Sequence, residues 1–234
     1  MKLESLESRR MFAVSVTEGY PGFFEIHGTE GDDVIVASLN MAEETMTVDG
    51  RTYPGVAYVV AYGGAGDDYI SITSIDGMGL IGGSVDGGDG HDSIILGVDG
   101  GVWAGNGNDS IHLYDSFRGE AYGGAGCDYM YISGACPDAE IRGGDGDDYI
   151  DCSGNFYGVV IYGEAGRDTL IGSAYGDQLD GGQGNDVLDG GGGDDMFYAQ
   201  GGGADSITGG EGNDVAYIDH GTDSCDGVEQ VYYE

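Results

Sequence analysis

Apolar residues recur at alternating positions in short segments that are separated by runs of glycine and aspartate. Residues 187–189 and 196–198 each place one large apolar residue between two outward neighbours, directly after such a run. Alternation over so few residues is typical of β-strands with one buried face. We therefore predict an all-β fold of many short strands joined by tight turns.

Two of these units follow one another without a break. Residues 181–189 read GGQGNDVLD and residues 190–198 read GGGGDDMFY, and both fit G-G-x-G-x-D-x-U-x, where U is large and apolar. The glycines reach positive φ and let backbone carbonyls point into a tight loop, the sixth-position aspartate adds a carboxylate, and U faces a core. We therefore predict that the loop forms a cage lined by oxygen atoms and that the strand forms one wall of the core.

These units resemble the RTX, or haemolysin-type, calcium-binding repeat, and the resemblance covers roughly residues 28 to 217. About a dozen copies in register make a chance match in a glycine-rich chain improbable. The resemblance implies a parallel β-roll, or β-helix solenoid, with Ca²⁺ held between successive loops along each edge.

The spacing of the sixth-position aspartates predicts how the coils are built. They are Asp33, Asp68, Asp92, Asp109, Asp128, Asp148, Asp168, Asp177, Asp186, Asp195, Asp205 and Asp214. From Asp68 to Asp168 the steps are 24, 17, 19, 20 and 20 residues, and afterwards they are 9, 9, 9, 10 and 9. We expect two strands and about 18–20 residues per coil, with one cage per coil in the first half and two in the second. About ten coils would form a rod on the order of 45 Å long.

The residue two places before each loop tests this interpretation, because it should point inward. These positions hold Ala61, Val85, Val102, Ala121, Ile141 and Ile161. Facing them we expect Ile70, Ile94, Ile111, Met130, Ile150 and Leu170. The inward column therefore continues through the first half, where only the far-side cage is replaced by irregular turns.

The resemblance implies that sixth-position carboxylates and the carbonyl-bearing glycine loops hold about eight to ten Ca²⁺ ions. We expect one edge to carry Asp33, Asp68, Asp92, Asp109, Asp128, Asp148, Asp168, Asp186 and Asp205, and the other edge to carry Asp195 and Asp214. The glycines assigned to these cages are Gly64, Gly66, Gly88, Gly90, Gly124, Gly126, Gly144, Gly146, Gly182, Gly184, Gly191, Gly193, Gly210 and Gly212.

Two loops depart from the pattern. Asp177 is left out of the ligand set because Tyr175 stands at the fourth place of its loop, and Arg167 brings a positive charge into the loop of Asp168. The fifth-position acids Asp32, Asp67, Asp147 and Asp194 are expected to face water, since adjacent residues in an extended loop point apart.

Composition supports a cationic ligand. The chain has 43 acidic and 7 basic residues and a formal net charge of −36, which disfavours nucleic acid and anionic membranes and favours a metal cation. The sequence contains no stretch of 18 apolar residues, which is the length that would predict a membrane span. The cysteines lack zinc-ligand spacing, while Cys136 and Cys152 lie on neighbouring coils, where a disulfide and free thiols both stay open.

The aromatic residues Tyr62, Trp103, Tyr122 and Tyr162 should form one exposed column, interrupted by Asp86 and Arg142. Such a column could stabilise the sheet by ring packing or could stack sugars as a carbohydrate-binding or adhesive module. No catalytic set emerges from the histidines or from known hydrolase motifs, so we expect no enzyme. A β-helix polysaccharide lyase or epimerase with Arg118 or Arg142 as base is the less favoured alternative.

Residues 3–12, LESLESRRMF, resemble the LEPLExRxLL element that opens many exported proteins of planctomycete-like bacteria, and residues 8–12 also resemble a twin-arginine signal. We therefore expect an export-like segment at 1–12, a calcium-binding β-roll at 13–217 with a hairpin excursion about 38–57, and a C-terminal cap at 218–234. The expected function is a secreted or cell-surface calcium-binding module with a structural or surface-interaction role. Its expected partners are calcium and extracellular polysaccharide or a cell surface.

Overall fold

The computed structural model describes residues 14–75, 82–114 and 117–233. All regular structure in these ranges is β, which confirms the predicted all-β parallel β-solenoid. The export-like segment at residues 1–12 lies outside the described residues. The strands are β1 (Ser15–Tyr20), β2 (Phe23–His27), β3 (Val34–Asn40), β4 (Thr45–Val48), β5 (Arg51–Pro54), β6 (Tyr58–Ala65), β7 (Tyr69–Ser74), β8 (Gly82–Asp89), β9 (Ser93–Gly97), β10 (Gly100–Asn106), β11 (Ser110–Tyr114), β12 (Glu120–Ala125), β13 (Tyr129–Gly134), β14 (Glu140–Asp145), β15 (Tyr149–Asn155), β16 (Val160–Ala165), β17 (Thr169–Ile171), β18 (Gln178–Asp180), β19 (Val187–Asp189), β20 (Met196–Ala199), β21 (Ser206–Thr208), β22 (Val215–Ile218), β23 (Ser224–Asp226) and β24 (Gln230–Tyr233).

The strands form two sheets of twelve that face each other. The first sheet has the order β1-β2-β6-β8-β10-β12-β14-β16-β18-β20-β22-β24, and the second has β23-β21-β19-β17-β15-β13-β11-β9-β7-β3-β4-β5. Successive strands of the solenoid alternate between the sheets, and equivalent strands of neighbouring coils pair in parallel, as β14 does with β16 and β15 with β17. Ten successive strand pairs, from β2 and β3 to β22 and β23, make up the solenoid.

The core is a thin layer of inward side chains in straight columns. On the first sheet Ala61, Val85, Val102, Ala121, Ile141 and Ile161 align in register and are fully buried. Facing them, Ile70, Ile94, Ile111, Met130, Ile150 and Leu170 are buried on the second sheet. The predicted inward columns are confirmed, and buried residues alternate with more exposed ones along most solenoid strands because strand side chains alternate between faces.

The two sheets begin with antiparallel strands. Strand β1 pairs antiparallel with β2, and the hairpin β4–β5 pairs antiparallel with β3. The sequence predicted this hairpin as an excursion from one turn of the roll. In the structure it forms the edge of the second sheet, with Met46 and Val48 buried in the core, because its alternating apolar residues can cover the open end of the first coil.

The C-terminal residues continue the roll. Strands β23 and β24 pair in parallel with β21 and β22, so the region predicted as a separate cap at 218–234 adds further strands to both sheets. The described residues contain no helix long and apolar enough to cross a membrane.

Candidate metal sites

The aspartate loops lie at the two edges where the chain passes from one sheet to the other. The loops of Asp128, Asp148 and Asp168 connect first-sheet strands to second-sheet strands, whereas those of Asp195 and Asp214 connect in the opposite direction. The first edge therefore collects one carboxylate per coil, whereas the second edge does so only in the C-terminal coils, at Asp177, Asp195 and Asp214. This arrangement matches the two edges expected from the sequence spacing.

Each sixth-position aspartate uses one carboxylate oxygen to join two coils. Its Oδ1 accepts a hydrogen bond from the backbone N–H of the equivalent aspartate one coil earlier, as Asp148 Oδ1 does from Asp128 N at 2.8 Å and Asp168 Oδ1 does from Asp148 N at 2.8 Å. On the first edge this ladder links Asp33, Asp68, Asp92, Asp109, Asp128, Asp148, Asp168, Asp186 and Asp205. On the second edge it links Asp177, Asp195 and Asp214. The ladder satisfies buried N–H groups that would otherwise lack acceptors.

The other carboxylate oxygen has no protein partner. The Oδ2 atom is buried without a hydrogen bond in Asp68, Asp92, Asp109, Asp128, Asp148, Asp168, Asp186, Asp195 and Asp214. A buried carboxylate oxygen that lacks a donor is costly. Its repetition at equivalent places in successive coils points to a positively charged ligand that supplies the missing partner.

A backbone carbonyl of the next coil lies beside the Oδ2 atom in seven of these loops, those of Asp68, Asp92, Asp128, Asp148, Asp168, Asp195 and Asp214. A Cβ added to Gly143 would meet both Asp148 Oδ2 and the Gly163 carbonyl oxygen closer than 3.0 Å, and the same is true at Gly163 for Asp168 Oδ2 and the Gly181 carbonyl oxygen. The first loop glycine thus leaves space next to two converging oxygens. On the second edge, Gly190 leaves such a space beside Asp195 Oδ2 and the Gly209 carbonyl oxygen.

The second and fourth loop positions need backbone conformations that favour glycine. Gly144 and Gly146 have φ of 121° and 128°, and a Cβ at Gly146 would clash with the Gly126 carbonyl oxygen of the preceding coil. All fourteen glycines assigned from the sequence have φ between 85° and 157°. These values let the loops stack closely with their carbonyls turned inward.

Burial perturbs the titration of the aspartate rows. It raises the pKa of Asp68, Asp92, Asp109, Asp168 and Asp186 to about 6 and that of Asp148 and Asp195 to about 7, although the ladder hydrogen bonds act in the opposite direction. Nearby carboxylates add to the increase; around Asp148 they belong to Asp128 and Asp168 of the neighbouring coils and to the adjacent Asp147. The ionised row is therefore electrostatically unfavourable without a counter-charge.

The donor set fits calcium. Within the described residues, no group of three or more His, Cys, Asp or Glu side chains converges on one point, so a site made of side chains alone is not present there. Each cage instead pairs one carboxylate oxygen with backbone carbonyls, and Ca²⁺ accepts both kinds of oxygen ligand. The stacked backbone would supply neutral oxygen ligands, and the aspartate would supply the negative charge.

The fifth-position residues form a second, exposed ladder that runs in the opposite direction. Arg167 N donates to Asp147 Oδ1 at 2.9 Å, and Asn213 N donates to Asp194 Oδ1 at 3.0 Å. Asp67 N similarly donates to Asp32 Oδ1 at 3.1 Å. These acids are exposed, as predicted, and Arg167 also lies exposed in this outer ladder.

Two aspartates in the rows have different surroundings. Asp177 lies in the second-edge row, but its Oδ2 accepts the Ser173 backbone N–H at 2.5 Å and its Oδ1 accepts the Val159 N–H at 2.8 Å. Both of its oxygens therefore accept hydrogen bonds from protein donors. In Asp33 the Oδ2 accepts from Thr29, and Oδ1 is the oxygen without a partner.

The structure adds members that the sequence pattern did not select. Asp205 N donates to Asp223 Oδ1 at 3.0 Å, and Asp214 N donates to Glu229 Oε2 at 2.8 Å, so acids outside full repeats continue both ladders. The step of 18 residues from Asp205 to Asp223 and the preceding Gly221 were available as signals. Gly105 and Gly107, with φ of 113° and 142°, also match the assigned glycines, although Ala104 replaces the first glycine of their loop.

Four segments of the chain match the model of the RTX calcium-binding nonapeptide repeat: residues 60–71, 140–151, 160–199 and 200–227. These matches support an RTX-type repeat protein. The RTX-type segments contain the loops of Asp68, Asp148, Asp168 and Asp195, whereas the loops of Asp92, Asp109 and Asp128 lie between matched segments and still join the same row. None of the curated proteins matches the chain.

Aromatic residues on the outer faces of the solenoid pack on one another. The rings of Trp103 and Tyr122 stack at 6.3 Å between centroids, and those of Tyr129 and Tyr149 stack at 5.3 Å. Ring faces within these pairs cover each other, which supports the sheet-stabilising interpretation of the aromatic columns.

The candidate base Arg142 is engaged by acids. It pairs with Glu140 and, at 3.1 Å, with Glu164. Desolvation acts against its charge, but the hydrogen bonds to both glutamates outweigh this and raise the pKa of Arg142 above its usual value. A guanidinium held in this way is a poor proton acceptor.

The two core cysteines are Cys136 and Cys152, both fully buried. Burial raises the pKa of the Cys152 thiol, which lowers its reactivity toward oxidants. The disulfide alternative between them stays a prediction.

Proposed function

We propose that this RTX-type chain is an exported module that binds calcium along both edges and folds on calcium, with a structural or surface-interaction role. The observation that carries the proposal is the row of buried Oδ2 atoms without a protein partner, seven of which lie beside a carbonyl of the next coil. Calcium bound there would supply positive charge to both oxygens at once.

The proposed ligands come in pairs from neighbouring coils. Asp148 Oδ2 would act with the Gly163 carbonyl, Asp168 Oδ2 with the Gly181 carbonyl, and Asp195 Oδ2 with the Gly209 carbonyl. A loop in mid-row contributes its aspartate to one site and its carbonyl to the previous site. About eight to ten ions, as proposed from the sequence, would neutralise roughly half of the charge of −36.

Electrostatics explains why folding would depend on the ion. Successive carboxylates in a row stand one strand spacing of about 4.8 Å apart. Two ionised groups at that distance repel each other by about 3.5 kcal/mol at an effective dielectric constant of 20. The two-layer core is thin, so it has little excess stability to offset such repulsion along a whole row.

Calcium dependence would also link folding to location. Extracellular modules bind Ca²⁺ with dissociation constants of about 0.1–1 mM, far above cytosolic concentrations. A chain with such sites would remain largely unfolded inside the cell and fold after export. The export element that residues 3–12 resemble and the RTX-type repeats support this part of the proposal.

A calcium titration of metal-free protein tests the proposal. Circular dichroism in EDTA should show a largely unfolded chain, and added Ca²⁺ should restore the β signal cooperatively with a midpoint of about 0.1–1 mM. Isothermal calorimetry on the same samples counts the ions. Mg²⁺ at matched ionic strength is the control, because it keeps its waters and demands a smaller, octahedral site. An unchanged β signal in EDTA, or equal folding with Mg²⁺, would refute the proposal.

A further inference from the structure

One column of side chains on the outward face of the first sheet places a charged residue between two aromatic residues at more than one position. Tyr62, Asp86 and Trp103 are consecutive in register, each one strand from the next. Tyr122, Arg142 and Tyr162 follow further along the same column. The two triplets share one geometry and differ in the sign of the central charge.

The second triplet shows what fits between two rings that lie two strand steps apart. The Arg142 guanidinium carbon lies 4.1 Å from the ring centroid of Tyr162 and 5.8 Å from that of Tyr122. Two steps correspond to about 9.6 Å, enough for a planar cation between two ring faces. The chain itself therefore fills this gap with a guanidinium in cation–π contact.

In the first triplet, two aromatic rings again stand on either side of the central residue and form the walls of the gap, but the central residue is an acid instead of a cation. The ring of Tyr62 stacks on His27 at 4.9 Å and 7°, and that of Trp103 stacks on Tyr122 at 6.3 Å and 9°. Both walls are therefore supported from outside the gap. Trp103 also leans over Gly101, where an added Cβ would meet its indole closer than 3.0 Å.

The acid between these walls is available to a ligand. Asp86 is exposed, and among the described residues no hydrogen bond or ion pair engages its carboxylate.

We propose that Tyr62, Asp86 and Trp103 form a slot that binds an arginine guanidinium of a basic partner segment. The rings would contact both faces of the guanidinium, as Tyr122 and Tyr162 contact Arg142, while the Asp86 carboxylate would accept its N–H groups. With 43 acidic and 7 basic residues, the field of the protein attracts such a segment and disfavours acidic partners. This inference depends on the fold and is independent of the role proposed for the calcium rows.

A weaker copy of the slot lies along the same column. Tyr162, Asp180 and Tyr198 are consecutive in register, but the positive charge of Arg142 and a hydrogen bond from the Gly182 N–H already partly stabilise the Asp180 carboxylate. Asp86 and Asp180 are five strand steps apart, or about 24 Å. An extended peptide spans this distance in about seven residues, so a segment with two arginines at that separation could occupy both slots.

Trp103 is the only tryptophan of the chain, so its fluorescence reports directly on the first slot. We would titrate calcium-loaded protein with a glycine-serine peptide that carries two arginines seven residues apart. A saturable change in Trp103 emission is expected, with weaker binding by the lysine peptide and none by the citrulline peptide, which keeps the planar shape without the charge. Equal binding of the citrulline peptide would overturn the proposal without any variant.

Two variants distinguish peptide binding in the slot from general electrostatic attraction to the acidic protein. Asp86→Asn should weaken arginine-peptide binding by about tenfold, because it removes the charge-assisted contact. Asp151→Asn removes the same charge from the outward face of the second sheet and should change binding less than twofold. Circular dichroism in calcium checks that both variants are folded. Equal losses in the two variants would show bulk electrostatics, and a response to neutral cellohexaose in place of the peptide would assign the slot to saccharide; either result refutes the proposal.

Discussion

Two adjacent acids, Asp147 and Asp148, contribute the same formal charge and have different surroundings. Asp148 Oδ1 accepts the Asp128 N–H at 2.8 Å, and its Oδ2 is buried without a partner. Asp147 is exposed and accepts the Arg167 N–H at 2.9 Å. Asparagine can keep the Oδ1 hydrogen bond at either position. In Asp148→Asn, however, an amide NH₂ replaces the oxygen that should face the cation.

The size of the shift in the calcium midpoint of Asp148→Asn depends on the number of ions that bind in one step. Loss of one charged contact costs about 3 kcal/mol. If about nine ions bind in a single cooperative transition, this loss is shared among them, and the calcium midpoint rises roughly twofold, since 1.4 kcal/mol per ion is a factor of ten. If the coils fold nearly independently, the sites that Asp148 touches weaken on the order of a hundredfold. Asp147→Asn should shift the midpoint by much less than either.

Calcium titrations followed by circular dichroism give the midpoints, and native mass spectrometry gives the ion count. We expect Asp148→Asn to raise the midpoint and to lose at least one ion, while Asp147→Asn retains the full count. In EDTA the Asp148→Asn chain should be no less folded than the parent, because the substitution removes a carboxylate that Asp128, Asp147 and Asp168 repel. Identical midpoints and ion counts for the two variants would mean that bulk charge controls binding, and the assignment of the cages would be wrong.

Two further predictions concern the aspartate rows in metal-free protein and the backbone conformation of the loops. In metal-free protein the folded-state pKa values of about 6 to 7 lie above the ordinary aspartate value of 3.8, so the stability that protonation supplies is complete below about pH 4 and is lost as the pH rises through 6 to 7. The chain in EDTA should therefore show more β signal at pH 5 than at pH 8; no difference between them would contradict the buried-row geometry. Gly146→Ala should destabilise the calcium-loaded fold by about 2 kcal/mol or more in urea unfolding, because φ is 128° and the new Cβ meets a backbone oxygen. Gly31→Ala, at the same loop place in the first coil but with nothing within 4 Å, is the control, and equal effects would exclude the stacking argument.

The repeat pattern alone was enough to predict the solenoid and its columns. Residues Ile141 and Ile150 could be assigned inward because the side-chain period of a strand is two and the loop marks its phase. The spacing of the aspartates also placed Asp168 on one edge and Asp195 on the other, since a coil has a nearly constant length. These features depend on residues within one repeat, and every repeat contains them.

The contacts between coils were decided by the tertiary structure. A repeat read on its own shows an aspartate at the sixth place. It does not show that Oδ1 of Asp148 accepts the Asp128 N–H while Oδ2 stays without a partner, because the donor comes from another coil. For the same reason Asp223 and Glu229 were missed, since they lack the full loop signature and join the rows only by position.

The ends and the outer faces show the same division. The alternation of residues 45–53 predicted a hairpin from local turn chemistry, yet only the unpaired edge of β3 determines that this hairpin completes the second sheet. The sequence placed Tyr122, Arg142 and Tyr162 in one outward column, but only the structure shows that the Arg142 guanidinium makes cation–π contact with both rings. The sequence by itself determined the shape of one coil, because turn and strand preferences act within a few residues; stacking decided which atoms of neighbouring coils meet, because parallel pairing joins residues about 18 to 20 positions apart.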